Sequence, residues 1–213
     1  MMNKQIYARY IANINGKIAQ TKMVSFTANP GDNIFIQGSH RNCKVNFEVL
    51  CGIRKPDNGE VIICNKNPYT MMPKEAALFR CTHIGGIPHD LGLIPEIQLI
   101  HQILDPVRCS GFSDEEVFSK IHKLTSDKVP THVLYNTPQT CSFRYQSCAA
   151  IFRALISNPL VLVVNSLMDD LPDNDADFLW QIIEENREKN NVLIYLSSSS
   201  APMQMNWDQQ INL

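Results

Sequence analysis

From Ile34 to Val45 the chain reads Ile-Phe-Ile-Gln-Gly-Ser-His-Arg-Asn-Cys-Lys-Val. A short apolar run leads into Gly38, and Lys44 follows at the separation of the phosphate-loop motif G-x-x-x-x-G-K-[ST]. That motif requires a strand, a turn and a helix in order, so it constrains the first unit of the fold to α/β. Its chemistry is incomplete here, because Cys43 stands at the second glycine and Val45 at the hydroxyl residue. Glycines in such a loop let backbone N–H groups approach phosphate oxygens closely, and the hydroxyl reaches a magnesium ion. Cys43 brings a Cβ into the turn, Val45 has no oxygen, and His40 and Arg41 add bulk. Two readings of Gly38, Ser39 and Lys44 follow. One is residual nucleotide binding through Lys44 and the helix N-terminus. The other, which is favoured, is an inherited loop whose Lys44 is solvated or caps a carbonyl.

The rest of the chain alternates strand and helix patterns. Residues 4–12 and 17–28 read as strands about an Asn15-Gly16 turn. Residues 34–37 read as a buried strand and 44–53 as a helix. Pro56-Asp57-Asn58-Gly59 is a turn before a strand at 60–64. Helical patches at 96–104 and 114–124 lie among Pro- and Ser-containing loops, the second opened by Ser113. Helix resumes at 145–157. The apolar run 160–164 has the form of a central parallel strand. Residues 173–189 form an amphipathic helix with Phe178, Leu179, Ile182 and Ile183 inward, before a strand at 192–196 and an edge strand within 207–213. The expected fold is α/β, a P-loop NTPase-like mixed sheet flanked by helices, with an N-terminal antiparallel β part and a short helical lobe. One domain spans 1–213, its core from 1–89 and 141–213 and its lobe from about 90–140.

Composition narrows the function classes. A net charge of −2 over 213 residues argues against a nucleic-acid partner. The apolar runs are too short to span a bilayer. Residues 1–31 have no secretory-leader pattern. They hold no acidic residue and carry Lys4, Arg9, Lys17 and Lys22, which read as a basic strand face in preference to an organelle address. Seven cysteines without a C-x-x-C pair suit a reducing compartment with buried thiols, not a disulfide framework or a zinc ribbon. The six histidines are scattered singly, so no metal site is expected.

Several longer segments, taken in order, resemble the ATPase subunit of ABC transporters across almost the whole chain. Residues 24–32 look like the lead-in to the phosphate loop. Leu50-Cys51-Gly52-Ile53-Arg54-Lys55-Pro56-Asp57-Asn58-Gly59-Glu60-Val61 resembles the family's L-x-G-x-x-x-P-x-x-G-x-V segment. Ile84-Gly85-Gly86-Ile87-Pro88-His89 falls where the Q-loop belongs, followed by Leu93-Ile94-Pro95-Glu96. Arg153-Ala154-Leu155-Ile156-Ser157-Asn158-Pro159-Leu160-Val161-Leu162 is similar to A-R-A-L-x-x-x-P-x-x-L.

The resemblance puts His89 at the Q-loop glutamine and reads it as a surface histidine. It puts Asn165 at the Walker B aspartate and Ser166 at the glutamate that polarises the attacking water. The signature L-S-G-G-Q falls on Cys141-Ser142-Phe143-Arg144-Tyr145, where Ser142 alone matches and Phe143 and Arg144 suggest an altered interface. The switch histidine falls within the serine run 197–200, at Ser198. The adenine-stacking position falls on Ile14 or Asn15, with Tyr10 near. Asp169 and Asp170 read as solvated loop carboxylates.

The implied activity is ATP hydrolysis, and these positions lack its metal ligands, water-orienting acid and γ-phosphate clamp. The expectation is a catalytically inactive scaffold or interaction subunit with no catalytic residue, no metal and no cofactor, in a complex with transmembrane or other subunits. The alternative is a regulatory subunit that binds ATP weakly, pairs with an active ABC ATPase, and resembles compact haem-exporter subunits of cytochrome maturation; an active ATPase is a further alternative. The implied location is peripheral on the cytoplasmic side of a membrane, or on the matrix side of the mitochondrial inner membrane.

Overall fold

The computed structural model describes residues 6–11, 23–108, 112–125 and 128–213. The expected Asn15-Gly16 turn, the stacking candidates Ile14 and Asn15, and Cys109 lie outside the described residues. In chain order the elements are β1 (Ile6–Ile11), β2 (Val24–Ala28), β3 (Asn33–Gln37), α1 (His40–Leu50), β4 (Asn58–Ile63), α2 (Pro73–His83), β5 (Ile84–Ile87) and α3 (Leu99–Arg108). Then come α4 (Asp114–Thr125), α5 (Thr131–Leu134), a 3-10 turn at Pro138–Thr140, α6 (Phe143–Leu155), β6 (Val161–Asn165), α7 (Asp173–Asn186), β7 (Val192–Ser197) and β8 (Gln209–Asn212).

Two sheets result. β2, β1 and β4 form an antiparallel sheet with β1 in the middle. Five parallel strands form the other, in the order β5-β6-β7-β3-β8. The central strands of the parallel sheet are buried on both faces, which is why they read as unbroken apolar runs. Phe35, Leu162, Val164, Leu193 and Tyr195 join a core with α3, α6 and α7. The alternate residues Ile34, Ile36, Val161, Val163, Ile194 and Leu196 join a core with α1 and the antiparallel sheet. The lobe residues Leu99, Ile103, Ile121, Leu124 and Val133 belong to the first of these cores.

Several boundaries differ from the sequence expectation. α2 and β5 carry no legible signal, since β5 is a four-residue strand with two glycines in it. Gly85 has a packing reason. A Cβ there would lie 2.4 Å from the Ala154 carbonyl oxygen, so glycine lets α6 press onto the sheet edge. α3 starts three residues later than expected, because the Gln102 side-chain amide holds the preceding turn through Ile94 N–H and the Ile94 and Ile97 carbonyls. It also continues past Pro106, with Val107 buried and Arg108 paired to Asp105 at 2.9 Å. Ser113 opens α4 as expected, in a reciprocal capping box with Glu116.

Gly85→Ala is expected to destabilise the protein by about 1–3 kcal/mol, the usual cost of overpacking. Chemical denaturation of the variant checks this.

Candidate functional site

Ligands of open parallel sheets bind outside the carboxyl ends of the strands. Here the ends of β3, β6 and β7 lie side by side, with Gln37 opposite Ser197 and Asn165 opposite Leu196. The segment after β3 was expected to be a loop as far as Lys44. Instead α1 begins at His40. Ser39 is its N-cap, and its hydroxyl accepts from Asn42 N–H. Cys43 N–H donates to the Ser39 carbonyl at 2.9 Å, and Gly38 N–H donates to the Ser197 carbonyl at 3.0 Å.

The physical reason is the burial of one face of the early helix. Cys43, Val45, Asn46 and Phe47 are all buried, and the Cys43 thiol sits 3.4 Å from the Gly38 carbonyl. Burial, and next the Asp169 carboxylate, push that thiol up to about 11. Tyr10 hydroxyl donates to Asn46 at 2.8 Å, and Asn46 donates to the Asn42 carbonyl. Tyr10 is therefore a core residue tying β1 to α1, not a stacking surface. Lys44 lies in the second turn of α1 with an exposed side chain.

At the end of β6, Asn165 is buried and its side-chain oxygen has no partner among the described residues. Ser166 is buried at φ 51°, its N–H donating to the Leu196 carbonyl at 2.8 Å and its hydroxyl to the same oxygen at 3.4 Å. Asp169 departs from its reading as a solvated loop carboxylate. It accepts from Tyr195 hydroxyl at 3.0 Å, from Ser197 hydroxyl at 2.8 Å on both oxygens, and from Ser198 N–H at 3.3 Å. This carboxylate ties the turn after β6 to the end of β7. Burial first, then Asp169, pushes the Tyr195 hydroxyl well above the usual tyrosine range, so it stays a donor. Asp170 is exposed, as expected.

His89 is exposed, as expected, but not isolated. Its Nδ1 is 3.4 Å from the Ser166 carbonyl, and its ring centre is 5.7 Å from that of His40. His40 Nε2 is 3.1 Å from the Ser198 hydroxyl. The histidines were expected to stand singly, and these two meet because α1 starts early.

Ser142 caps α6, its hydroxyl accepting from Tyr145 N–H at 3.5 Å. Arg144 makes contacts within the chain while 43% of its side chain stays exposed. It lies 3.6 Å from the Phe178 ring centre and 3.1 Å from Asp175, both on α7. Phe143 remains 47% exposed. A cavity of about 470 Å³ separates the start of α6 from the end of β6, lined by His89, Phe143, Arg144, Ser166 and Asp170 among others.

The structure thus gathers Gly38, Ser39, Cys43, His89, Asn165, Ser166 and Ser198 at the strand ends, with Ser142 across the cavity. Sequence reading did not single out Tyr195 and gave His40, Asp169 and Ser197 no contacts, since their partners lie far along the chain and carry no motif. The family positions gathered here supply one amide oxygen, hydroxyls and an imidazole, while the nearby Asp169 carboxylate is already taken up by Tyr195, Ser197 and Ser198. An octahedral magnesium ion prefers carboxylate and other oxygen ligands, so this set does not fit it. Among the described residues no group of three or more His, Cys, Asp or Glu is placed to hold a metal.

Known proteins share this arrangement of strands and helices. The chain is 25% identical over 178 residues to the lipoprotein-releasing system ATP-binding protein LolD 1 of Rhodopirellula baltica, covering 83% of this chain and 78% of that protein. It is 22% identical over 192 residues to the cell division ATP-binding protein FtsE of Bacillus subtilis, covering 88% and 79%. The post-hydrolysis dimer of the ATP-binding cassette MJ0796, bound to ADP and Pi, matches with a TM-score of 0.73 at 18% identity, covering 92% of this chain and 88% of that one. No protein-family model matches. The fold is that of an ABC ATPase cassette. Both relatives are named as ATP-binding proteins.

Asp169→Ala is expected to cost about 2–3 kcal/mol by leaving buried donors unmatched, while Asp170→Ala stays within about 0.5 kcal/mol. Urea denaturation of the two variants separates them. The raised Cys43 thiol favours folding below the ordinary thiol range, and that contribution is lost as pH rises toward about 11. Wild-type stability therefore falls between pH 8 and pH 10.5, and it falls less in Cys43→Ala, measured by the same denaturation.

Proposed function

We propose that this chain is an ABC-type cassette subunit of a membrane transporter complex that does not itself hydrolyse ATP. The observation that carries the reading is the start of α1 at His40, which ties the Cys43 N–H to the Ser39 carbonyl and places Lys44 inside a helix. A phosphate loop needs those groups free to face phosphate oxygens. Asn165 and Ser166 add to it, since neither supplies the carboxylates that hold metal and orient water in phosphoryl transfer. Loss of even two such elements costs several orders of magnitude in rate.

The relatives are named as ATP-binding proteins of a lipoprotein-releasing system and of cell division. Their names favour a transporter-type subunit, peripheral on the cytoplasmic face, over recruitment into an unrelated assembly. Among the described residues no helix is long and apolar enough to cross a membrane. A cleft of about 370 Å³ between the lobe and the sheet, lined by Phe47, Ile53, Arg80, Pro88 and Arg153 among others, is of a size to take a partner's helix end. The same likeness favours a second reading, a regulatory subunit that holds nucleotide beside an active ATPase.

Purified protein is expected to release phosphate from Mg-ATP at the background rate, unchanged by Lys44→Ala. Turnover well above background that Lys44→Ala abolishes contradicts the proposal. Calorimetry with millimolar Mg-ATP separates the readings, since measurable binding without turnover selects the regulatory subunit.

A further inference from the structure

His40 and His89 are 49 positions apart and belong to different elements. Their ring centres nevertheless stand 5.7 Å apart, with the rings inclined at 50°. Two imidazoles sharing one tetrahedral ion at Zn–N distances of about 2.0–2.1 Å hold their ring centres roughly 5–6 Å apart. The pair has that spacing already, and both side chains are exposed to an incoming ion.

Each ring has an outer partner on one nitrogen. His89 Nδ1 is 3.4 Å from the Ser166 carbonyl, which can only accept; the neutral tautomer that donates to it offers its Nε2 lone pair to a ligand. His40 Nε2 faces the Ser198 hydroxyl, which can accept its proton and leave Nδ1 bare. A metal-ligating histidine commonly donates its other N–H to a carbonyl or a similar acceptor in this way. His40 opens α1 just after the Ser39 cap, and His89 follows two residues past β5. One residue before Ser166, the Asn165 side-chain oxygen is a buried acceptor without a partner among the described residues, available to an ordered water.

The donor chemistry selects the ion. Neutral imidazole suits zinc, copper and nickel, and it is a poor ligand for magnesium. We propose that His40 and His89 form a two-imidazole site for a borderline transition-metal dication of the zinc or copper class. The ion bridges the start of α1 to the segment after β5, and water fills its remaining positions. With two protein ligands, affinity is well below that of a four-ligand structural zinc site. Bridging two elements makes binding depend on both histidines together. This inference stands independently of whether the chain binds ATP.

The test is a calorimetric titration of zinc ion into the metal-free full chain, repeated with His40→Ala, His89→Ala and the double variant. Copper-ion electron paramagnetic resonance reports the number of coordinated nitrogens. The expected result is one zinc site, weakened at least tenfold by either single substitution and no further by the double. Excess magnesium leaves it in place, and copper shows two nitrogens. Thermal melts of the variants without metal should match wild type, since both side chains are exposed. Three results would overturn the proposal: no zinc binding, binding that survives in the double variant (thiols or other histidines as ligands), or binding that depends on one histidine alone.

Discussion

A backbone N–H can be held by a helix carbonyl or by a phosphate oxygen, but not by both at full strength. The Gly38, Asn42 and Cys43 N–H groups are held by the Ser197 carbonyl, the Ser39 hydroxyl and the Ser39 carbonyl. Much of the site follows from that. Because α1 begins at His40, Cys43 is carried into the core, Lys44 is turned to solvent, and the His40 ring reaches Ser198 and stands beside His89. Tyr10 reinforces the arrangement from the antiparallel sheet through its bond to Asn46. The early start is stabilised by one cap and by four buried side chains in the first two turns.

Asp169 acts at the other side of the same strand ends. Its two oxygens take hydrogen bonds from Tyr195, Ser197 and Ser198. These donors converge on a single negative group, and the chain's own carboxylate provides it. Tyr195 in turn lies among Phe35, Trp180 and Trp207. The turn after β6 is thus anchored to the aromatic part of the core, and Ser197 and Ser198 at the end of β7 are committed to Asp169 and His40.

Much of the fold was legible because its signals are local. The apolar runs of β3, β6 and β7, the Ser113 start of α4 and the inner face of α7 all rest on residues close in sequence. β5 was not legible, since Gly85 is there to admit Ala154 from α6, a contact 69 positions away. The site was legible as positions but not as contacts. Ser39 is a recognisable cap, yet the choice between loop and helix at residues 40–43 depends on burial against β1 and on the contact of Cys43 with Gly38. Asp169 and Asp170 are neighbours with the same side chain, and only the fold shows that one is tied to three residues and the other is exposed.

The parallel sheet, the antiparallel sheet and the lobe keep the architecture of an ABC cassette, while the strand ends hold an internal polar network. The central claim is that residues 40–50 are helical from His40 onward, with the N–H groups from Asn42 on engaged inside the chain. Amide hydrogen exchange resolved at Cys43 and Lys44 tests it most directly, with and without millimolar Mg-ATP. The account predicts helix-like protection at both amides in the free protein, unchanged by nucleotide. Fast exchange in the free protein that becomes protected when Mg-ATP is added would contradict it, because a phosphate would then be holding those groups.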